Sequence, residues 1–298
     1  VYWGQATINH NTVMVNTSRQ NSIACGYPKH FDDAGRVKLI DASAPKAYGV
    51  TSEYRRTVVS VEANDNIAYT IDFFRVRGGN DHIYSFHATT NGLNFLYNVR
   101  HAYYPGNEFA VDFKVDDFRG FVRKNNLHLR MTMLNDFDLN EVALTKGQPP
   151  QKEDNPKELE FVLARRTGTN LDSLFTTVFE PYDGERYIEK QEQVPVQRTS
   201  GGWETAEDAV KAVKVTLKNG RVDYIVYATN NKIQYRVDDK FDFQGFVGVY
   251  TMEGETPIYS YVNDGTKIGE KTGIAAYTGV VRDFTKGMAI DNSITVKF

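Results

Sequence analysis

Apolar and polar residues alternate along this chain in short runs, the pattern expected of half-buried β-strands. One run covers residues 54–61, and a polar turn at 64–66 separates it from a second run at 67–76. Two glycines then lead into a third run at 82–87. We predict that these three runs form an antiparallel meander with one face buried against another layer.

The same alternation predicts strands elsewhere, and Tyr and Phe, which favour strands, each occur 18 times. The further predicted strands are 127–133, 159–166, 173–180, 213–217, 224–228, 246–251 and 274–281. Residues 204–214 are rich in Ala and Glu, but alternation from residue 213 favours strand, so this stretch stays ambiguous between helix and strand. The polar, proline-bearing stretch 147–156 predicts a surface loop.

The predicted fold class is therefore all-β, with a large antiparallel β-sandwich followed by a smaller β domain. A Ser-Gly-Gly break at 198–202 precedes shorter strands, and we place the domain boundary there. This gives a β-sandwich over residues 1–200 and a small C-terminal β-sheet domain over 201–298. A chain of 298 residues is long enough for both.

Composition and charge exclude several kinds of partner. The net charge of −3 and the pI of about 6.1 provide no basic field for phosphates, so no nucleic-acid partner is predicted. The mean hydropathy is −0.49 and no apolar run approaches ~20 residues, so no membrane partner is predicted. The single cysteine, Cys25, cannot form a disulfide within the chain.

Signatures of several common enzyme classes are missing from the sequence. It contains no G-x-S-x-G elbow, no H-E-x-x-H, no P-loop and no G-x-G-x-x-G leading into a helix. Six histidines remain, of which His82 and His87 lie on opposite faces of one predicted strand and cannot chelate one metal. We expect His82 to hold a backbone carbonyl beside a turn and His87 to be partly buried. Trp3 and Trp203 could stack on sugar rings, although a single indole is more often a core or interface residue.

His10 has a more unusual setting than the other histidines. It lies just before the apolar alternation of Val13 and Val15, with polar side chains on both sides of it. Such side chains can provide the hydrogen bonds that fix the tautomer of a metal-binding ring. The polar neighbours are Asn9, Asn11 and Thr12.

Arginines are the other candidate functional groups. Arg55 and Arg56 point to opposite faces of their strand, whereas Arg75 and Arg77 share one face. One interpretation pairs them with acidic residues on neighbouring strands, such as Asp72. The other places some of them in a cleft for an anionic sugar, which needs only a local cluster of cations. The predicted substrate-binding residues are Tyr2, Arg55 and Arg75.

Several motifs together resemble a known family. They are Asn9-His10-Asn11-Thr12-Val13, Tyr54-Arg55-Arg56, the run from Asp72 to His87, Ser173-Leu174-Phe175 and Glu180-Pro181-Tyr182. In order and spacing they resemble the β-sandwich portion of the heparinase II/III-like polysaccharide lyases, which include alginate lyases of similar build. The resemblance covers roughly residues 1 to 185.

The resemblance implies a fold and a reaction. Family members join an N-terminal (α/α) toroid to a large sandwich and often a small β domain, and an acidic polysaccharide lies between toroid and sandwich. In their β-elimination a base removes the C5 proton of a uronic acid, an acid protonates the leaving oxygen, and a neutralising group stabilises the enolate-like intermediate. The family's catalytic residues match nothing here, so no catalytic residue is predicted in this chain.

The resemblance also implies a metal site. His10 is similar to one ligand of the family's structural zinc, whose other ligands, a His and an Asp, lie upstream. Zinc takes about four donors, so this chain alone would hold it weakly. The start at Val1 without a Met therefore fits part of a longer, secreted or periplasmic bacterial lyase whose toroid precedes this chain.

Two alternatives stay open from the sequence. The chain could be a non-catalytic carbohydrate-binding or structural β-sandwich, an interpretation favoured if no helical toroid is encoded upstream. It could also be one piece of a clipped enzyme whose upstream piece remains bound. The ~300–400 residues before Val1 would discriminate the lyase from the non-catalytic module, because a toroid appears in sequence as amphipathic helices.

Overall fold

The computed structural model describes residues 3–33, 35–88, 90–96, 108–115, 126–153, 155–272 and 293–297. The chain divides into two compact units. The first unit comprises Val1–Tyr27, Ala42–Thr57 and Tyr69–Glu185. The second comprises Pro28–Asp41, Val58–Ala68 and Arg186–Phe298. The predicted domain boundary near residue 200 stays a prediction.

Short strands account for most of the described chain. Two 3₁₀ turns, η1 (Trp3–Gln5) and η2 (Thr7–Asn9), come first. The next strands are β1 (Thr12–Val15), β2 (Tyr27–Asp32), β3 (Val37–Ser43), β4 (Glu53–Asn64), β5 (Ile67–Arg77), β6 (Asp81–Ala88), β7 (Thr90–Leu96), β8 (Glu108–Val115), β9 (Leu127–Leu134), β10 (Glu141–Gly147), β11 (Leu159–Thr167) and β12 (Asp172–Asp183). They are followed by β13 (Ile188–Gln193), β14 (Val196–Gly201), β15 (Val210–Leu217), β16 (Arg221–Ala228), β17 (Ile233–Val237), β18 (Phe241–Gln244), β19 (Val247–Glu253), β20 (Thr256–Asn263), β21 (Lys267–Ile268), β22 (Lys271–Thr272) and β23 (Ser293–Lys297).

The first unit packs two sheets face to face. One has four antiparallel strands in the order β1-β6-β11-β10. The other has eight strands in the order β2-β3-β4-β5-β12-β9-β8-β7, of which β2 and parts of β3, β4 and β5 are counted with the second unit. A core cluster draws on both sheets, with Val13 and Tyr84 from the first and Phe74, Phe113 and Phe175 from the second. This is the aligned layering of a β-sandwich.

The second unit repeats this layering on a smaller scale. A six-stranded antiparallel sheet has the order β13-β15-β16-β19-β20-β23, and a five-stranded antiparallel sheet has the order β14-β17-β18-β21-β22. Tyr224, Val226 and Tyr250 of the first meet Tyr235 and Phe243 of the second in one buried cluster. The all-β fold class is therefore confirmed.

The predicted meander is wrong in its third strand. Strands β4 and β5 are neighbours in the eight-stranded sheet, but β6 lies in the four-stranded sheet between β1 and β11. Gly78 and Gly79 form the turn before β6 with φ angles of +96° and +87°, a conformation that glycine adopts without strain. A β-carbon at Gly78 would collide with the carbonyl oxygen of Val50. This turn carries the chain from one layer to the other.

Most other predicted strands have counterparts in the structure. The predictions at 127–133, 159–166, 173–180, 224–228 and 246–251 correspond to β9, β11, β12, β16 and β19. Part of the ambiguous stretch 204–214 joins β15, and no α-helix occurs among the described residues. Residues 148–153 are irregular, as the loop prediction requires. The prediction at 274–281 lies outside the described residues.

Within the described part of the chain, no helix has the length and apolar character needed to cross a lipid bilayer.

Candidate functional site

His10 follows the second 3₁₀ turn, and its side chain is exposed. Its Nε2 lies 3.0 Å from the carbonyl oxygen of Gly4. Because a carbonyl only accepts, Nε2 carries the ring proton in this contact and Nδ1 keeps its lone pair. The Nδ1 lone pair of His10 is therefore available to bind a metal ion or to accept a hydrogen bond.

The polar neighbours of His10 in sequence form hydrogen bonds with groups other than the His10 ring. Asn9 donates its Nδ2 to the carbonyl of Trp3, at 2.8 Å, and Asn11 pairs with the backbone of strand β6. Thr12 shares its hydroxyl with Tyr54 at 2.7 Å. The interpretation that these side chains orient the His10 ring is therefore wrong, because each one bonds elsewhere.

Asn11 instead clamps His87, the second histidine of this region. Its Oδ1 accepts the His87 N–H at 2.8 Å and its Nδ2 donates to the His87 carbonyl at 3.3 Å. The His87 ring stacks on Phe161 with centroids 4.7 Å apart. Burial lowers the pKa of the His87 imidazole, and the neighbouring His10 lowers it further.

These two imidazoles do not complete a zinc site. The Nδ1 of His87 is buried and has no hydrogen-bond partner within the described ranges. Zinc nevertheless needs three or four donors. No group of three or more His, Cys, Asp or Glu side chains suited to a metal occurs among the described residues. The described residues alone therefore do not fit a zinc ion.

The third histidine behaves as expected from sequence. His82 is fully buried, its Nε2 lies 2.8 Å from the carbonyl oxygen of Gly78, and its Nδ1 lies 3.0 Å from the Ser173 hydroxyl. Burial lowers the pKa of its imidazole. His82 thus holds the two-glycine turn, and the prediction of a turn-holding role is confirmed.

The predicted substrate-binding residues lie in different settings. Tyr2 falls outside the described residues. Arg55 is half-buried on β4. Its neighbour Arg56 donates Nε and Nη2 to Asp72 at 2.9 and 2.8 Å, which confirms the cross-strand pairing predicted for Asp72. Arg56 also donates Nη1 to the carbonyl of Asn11, so it is Arg56 that reaches the His10 region.

Arg75 lies in an ion-pair network. It is 3% exposed, and its guanidinium lies 2.9 Å from Glu53 and 3.0 Å from Asp172. Arg77 lies 3.2 Å from the same Asp172. The charge of Arg75 is therefore engaged by two carboxylates in this structure, and its role in substrate binding stays a prediction.

A cluster that the sequence did not indicate lies on three adjacent strands of the eight-stranded sheet. The pairing register sets Asp112 beside Arg130 and Tyr182 beside His128. Cross-strand partners share a face, and residues two apart on a strand do so too. The four side chains therefore converge on the face opposite the core residues Phe113 and Met131. We call them the Asp112 cluster: Asp112, His128, Arg130 and Tyr182.

Asp112 is the centre of this cluster. It is 5% exposed, and its carboxylate lies 2.6 Å from His128 Nδ1 and 3.0 Å from Arg130 Nε. Tyr182 donates its hydroxyl to the same carboxylate, and its ring stacks on His128 with centroids 4.9 Å apart. One buried carboxylate thus fixes three polar side chains.

The surroundings lower the pKa of Asp112 and raise the pKa of Tyr182. Burial opposes ionisation of Asp112, but hydrogen bonds from Tyr182, His128 and Arg130 outweigh it and lower the pKa of Asp112. Burial, followed by the hydrogen bond to Asp112, raises the pKa of Tyr182 to about 12. Around neutral pH the carboxylate is therefore ionised and the phenol neutral.

Asp112 engages only one of the two ring nitrogens of His128. A carboxylate at Nδ1 fixes the tautomer in which Nε2 carries the lone pair. Nε2 has no hydrogen-bond partner among the residues that the structure describes, and the side chain is 20% exposed. A carboxylate-oriented imidazole with a free nitrogen has the geometry of a general base or acid.

The lowered pKa of Asp112 predicts an acid-sensitive stability. The carboxylate stabilises the fold fully above the unfolded pKa of about 3.9, and this contribution is lost as pH falls through the lower folded pKa. Asp112→Asn should reduce the loss of folding free energy as the pH falls, which urea unfolding from about pH 6 to about pH 3 measures. Asp136→Asn, at an exposed position, is the control. Equal acid dependence of the wild type and Asp112→Asn would contradict the prediction.

Sequence reasoning missed this cluster because strand pairing creates it. The alternation of His128 and Arg130 with Leu129 and Met131 was a signal that the two polar residues share a face. Asp112 lies on β8, a strand that was not predicted. No local pattern brings it to β9 and β12.

Comparisons with known proteins give a likeness in structure. No protein-family model matches the chain, and no curated protein matches it. A mutant of the heparan sulfate lyase HepC from Pedobacter heparinus matches with a TM-score of 0.51 and 15% identity, over 75% of this chain and 31% of that chain. A heparinase III with methylated lysines matches with a TM-score of 0.51 and 14% identity, over 74% and 30%. A further heparinase III structure gives a TM-score of 0.50 and 14% identity, over 76% and 31%.

At this identity the likeness shows the fold alone. The chain spans less than a third of the length of each of these solved chains. The chain therefore shares its β fold with a part of these lyase structures, and a shared fold does not by itself fix an activity.

Proposed function

We propose that this chain is the β part of a polysaccharide lyase that cleaves uronic-acid-containing glycans, heparan-sulfate-like or alginate-like, by β-elimination. The observation that carries the proposal is the β fold shared with heparan sulfate lyase structures over about three quarters of this chain. The order of motifs from His10 to Tyr182 supports it independently, because it indicates the same family without any structure.

The proposal assigns this chain one wall of the substrate cleft. An N-terminal (α/α) toroid of the same longer protein, which we call the parent protein, forms the other wall and supplies the catalytic groups. The partner is an acidic polysaccharide, and the parent is a secreted or periplasmic bacterial enzyme. The chain alone is then inactive, because positioning and proton transfer require groups on both sides of the sugar.

Replacement of His128 tests whether the catalytic groups lie in the toroid and not in this chain. If the catalytic groups lie in the toroid, His128→Ala in the parent should change kcat by less than about tenfold, whereas loss of a general acid or base costs about 10²–10⁴-fold. His128→Gln keeps a donor toward Asp112 and serves as the structural control. A loss of about 10²-fold or more in both variants, with normal folding, would place a catalytic group in this chain.

Zinc is part of the proposal through His10. We propose that His10 is one ligand of a structural zinc whose remaining donors lie outside the described residues. His10→Ala in the parent should lower the zinc content measured by elemental analysis, because zinc sites lose affinity when a ligand is removed. His128→Ala is the matched histidine control and should leave the zinc content unchanged. Unchanged zinc in His10→Ala would contradict the assignment.

The experiment that tests the function is an activity assay on the parent protein. Heparan sulfate, alginate and hyaluronan are incubated with it, and the ultraviolet absorbance of unsaturated uronide ends is followed. Growth of this absorbance on at least one glycan is expected. Absence of activity on all three would overturn the enzyme proposal and favour a binding or structural module.

A further inference from the structure

A buried histidine of the second unit lies between two carboxylates. His30 of β2 is 6% exposed, and its Nδ1 lies 2.7 Å from Oδ2 of Asp41 on β3. Its Nε2 lies 3.0 Å from Oδ2 of Asp264, which follows the end of β20. Asp41 and Asp264 are 0% and 4% exposed. We call these residues the His30 triad, and all three belong to the second unit.

Packing fixes the position of the His30 ring. The ring stacks on Phe246, which precedes β19, with centroids 4.0 Å apart and planes 16° from parallel. Phe246 carries no charge, and its far side meets the ring of Tyr227 edge-on. The backbone carbonyl of Asp264 accepts hydrogen bonds from the Phe246 N–H and from Asn231 Nδ2, both at 3.2 Å. Rotation of the imidazole would break the stacking, so both ring nitrogens stay directed at carboxylates.

The two contacts of His30 require one more proton than a neutral imidazole carries. A carboxylate oxygen only accepts hydrogen bonds, and a neutral imidazole has a single N–H. That N–H serves one carboxylate, so the other contact needs a second proton, either on the ring or on the facing carboxyl group. Without this proton a nitrogen lone pair would face a carboxylate in a buried place, which is unfavourable. The His30 triad therefore holds one titratable proton that both contacts depend on.

Asp32 and Tyr261 are the titratable neighbours of the triad on β2 and β20. Asp32 shares the buried face of β2 with His30, and it accepts the Tyr261 hydroxyl at 2.8 Å. Burial, followed by the charge of Asp32, raises the pKa of Tyr261 well above its usual value, so this phenol stays neutral up to about pH 9. The other oxygen of Asp264, Oδ1, is buried and has no hydrogen-bond partner among the described residues. The carboxylate of Asp264 is therefore held in the described chain through His30.

We propose that the His30 triad is a pH-sensitive contact that holds the segment Pro28–Asp41 against the end of β20 and loosens it as the pH rises. Loss of the titratable proton turns one attraction into a repulsion at a site from which water is excluded. The contact with Asp264 opens first, because it is longer than the contact with Asp41 and Asp41 is more deeply buried. This role does not depend on the proposed lyase function.

The proton count gives the sign of the pH dependence. The unfolded chain loses the imidazole proton near the ordinary pKa of about 6.5. The folded triad keeps its proton to higher pH, so its stabilising contribution is complete below about pH 6.5 and is lost as the pH rises through the pKa of the folded triad. Between these two values this group lowers the folding equilibrium constant about tenfold for each unit of pH.

Asp264→Asn isolates the contribution of this proton. Asparagine has nearly the same shape, tolerates the φ of +46° at this position and can donate its amide N–H to the lone pair of a neutral imidazole, so the contact needs no extra proton. Folding constants are measured by urea unfolding of the whole chain from about pH 6.5 to about pH 9. The ratio of the wild-type constant to the Asp264→Asn constant should fall about tenfold per unit of pH until the triad deprotonates. Asp33→Asn is the matched control, since this side chain lies in the same segment and is 69% exposed, and its ratio should stay within about twofold.

Two signals from the wild type test the triad without relying on a variant that must fold. In nitrogen NMR of isotope-labelled histidine rings, the His30 signals should titrate above about pH 6.5. Amide hydrogen exchange of β2 and β3, corrected for its intrinsic rise with pH, should accelerate over the same range. A constant ratio of the wild-type and Asp264→Asn folding constants, or His30 signals that titrate at or below about pH 6.5, would overturn the proposal. Exchange of β2 and β3 that stays independent of pH after correction would overturn it as well.

Discussion

Replacing Asp72 by asparagine is expected to destabilise the fold by about 3 kcal/mol. Asp72 is 1% exposed and accepts two hydrogen bonds from Arg56 and one, at 2.7 Å, from the Tyr84 hydroxyl. Asparagine keeps the volume but removes the charge, which leaves the Arg56 cation without its counter-ion in a largely dry site. Because the Arg56 side chain is 33% exposed, we expect the lower end of the range for broken buried ion pairs.

Urea unfolding of the variant measures this effect, and a matched control lies on the same hairpin. Asp65 is exposed in the turn between β4 and β5, so Asp65→Asn should change the free energy of unfolding by less than about 0.5 kcal/mol. Similar small decreases in the free energy of unfolding of both variants would show that the ion pair between Arg56 and Asp72 contributes little to stability.

Replacing Arg75 by glutamine is expected to cost about 2–4 kcal/mol of stability and to leave glycan affinity unchanged. Arg75 is buried, and its loss removes the cation beside Glu53 and Asp172, of which Asp172 keeps its ion pair with Arg77. The Glu53 and Asp172 side chains are 21% and 43% exposed, so water screens part of the repulsion between the two carboxylates that the lost cation leaves behind. We therefore expect Arg75 to stabilise the fold, and its contact with substrate stays a prediction from the sequence.

The matched control is Arg77→Gln. Arg77 pairs with the same Asp172, but its side chain is 20% exposed against 4% for Arg75. Its loss should cost about 1 kcal/mol because water replaces part of the interaction. The measurement combines urea unfolding of both variants with oligosaccharide titration. If Arg75→Gln weakens glycan binding while its stability stays at the wild-type value, Arg75 is a substrate-binding residue.

The sequence predicted the all-β fold class, but it did not predict which strands share a sheet. Period-two alternation and strand-favouring residues located β4, β5, β9 and β12. Strand β4 buries alternate residues, whereas β5, β9 and β12 each bury a run of consecutive residues. The alternation could not show that β6 leaves the sheet of β5, since strand partners are chosen by contacts between distant parts of the chain. The glycine pair before β6 was visible, but glycines mark a tight turn and a change of layer equally.

The candidate site was even less accessible from sequence. His10 bonds to the Gly4 carbonyl and not to its polar neighbours in sequence, whereas the pairing of Arg56 with Asp72 was predicted. The Asp112 cluster joins the consecutive strands β8 and β9 to β12, which β10 and β11 separate from them in the chain, so the cluster depends on strand pairing. The alternation along single strands therefore predicted which residues share a polar face. It did not predict which side chains from different strands meet.

The central claim is that this chain belongs to an enzyme that breaks uronic-acid glycans by elimination. The most direct test is the mass spectrum of the products that the parent protein releases from heparan sulfate, alginate and hyaluronan. Elimination leaves a 4,5-unsaturated uronic acid end, which is lighter by one water than the end left by hydrolysis. We expect unsaturated ends from at least one of these glycans. Products with hydrolytic ends alone, or no cleavage of any of the three, would contradict the account.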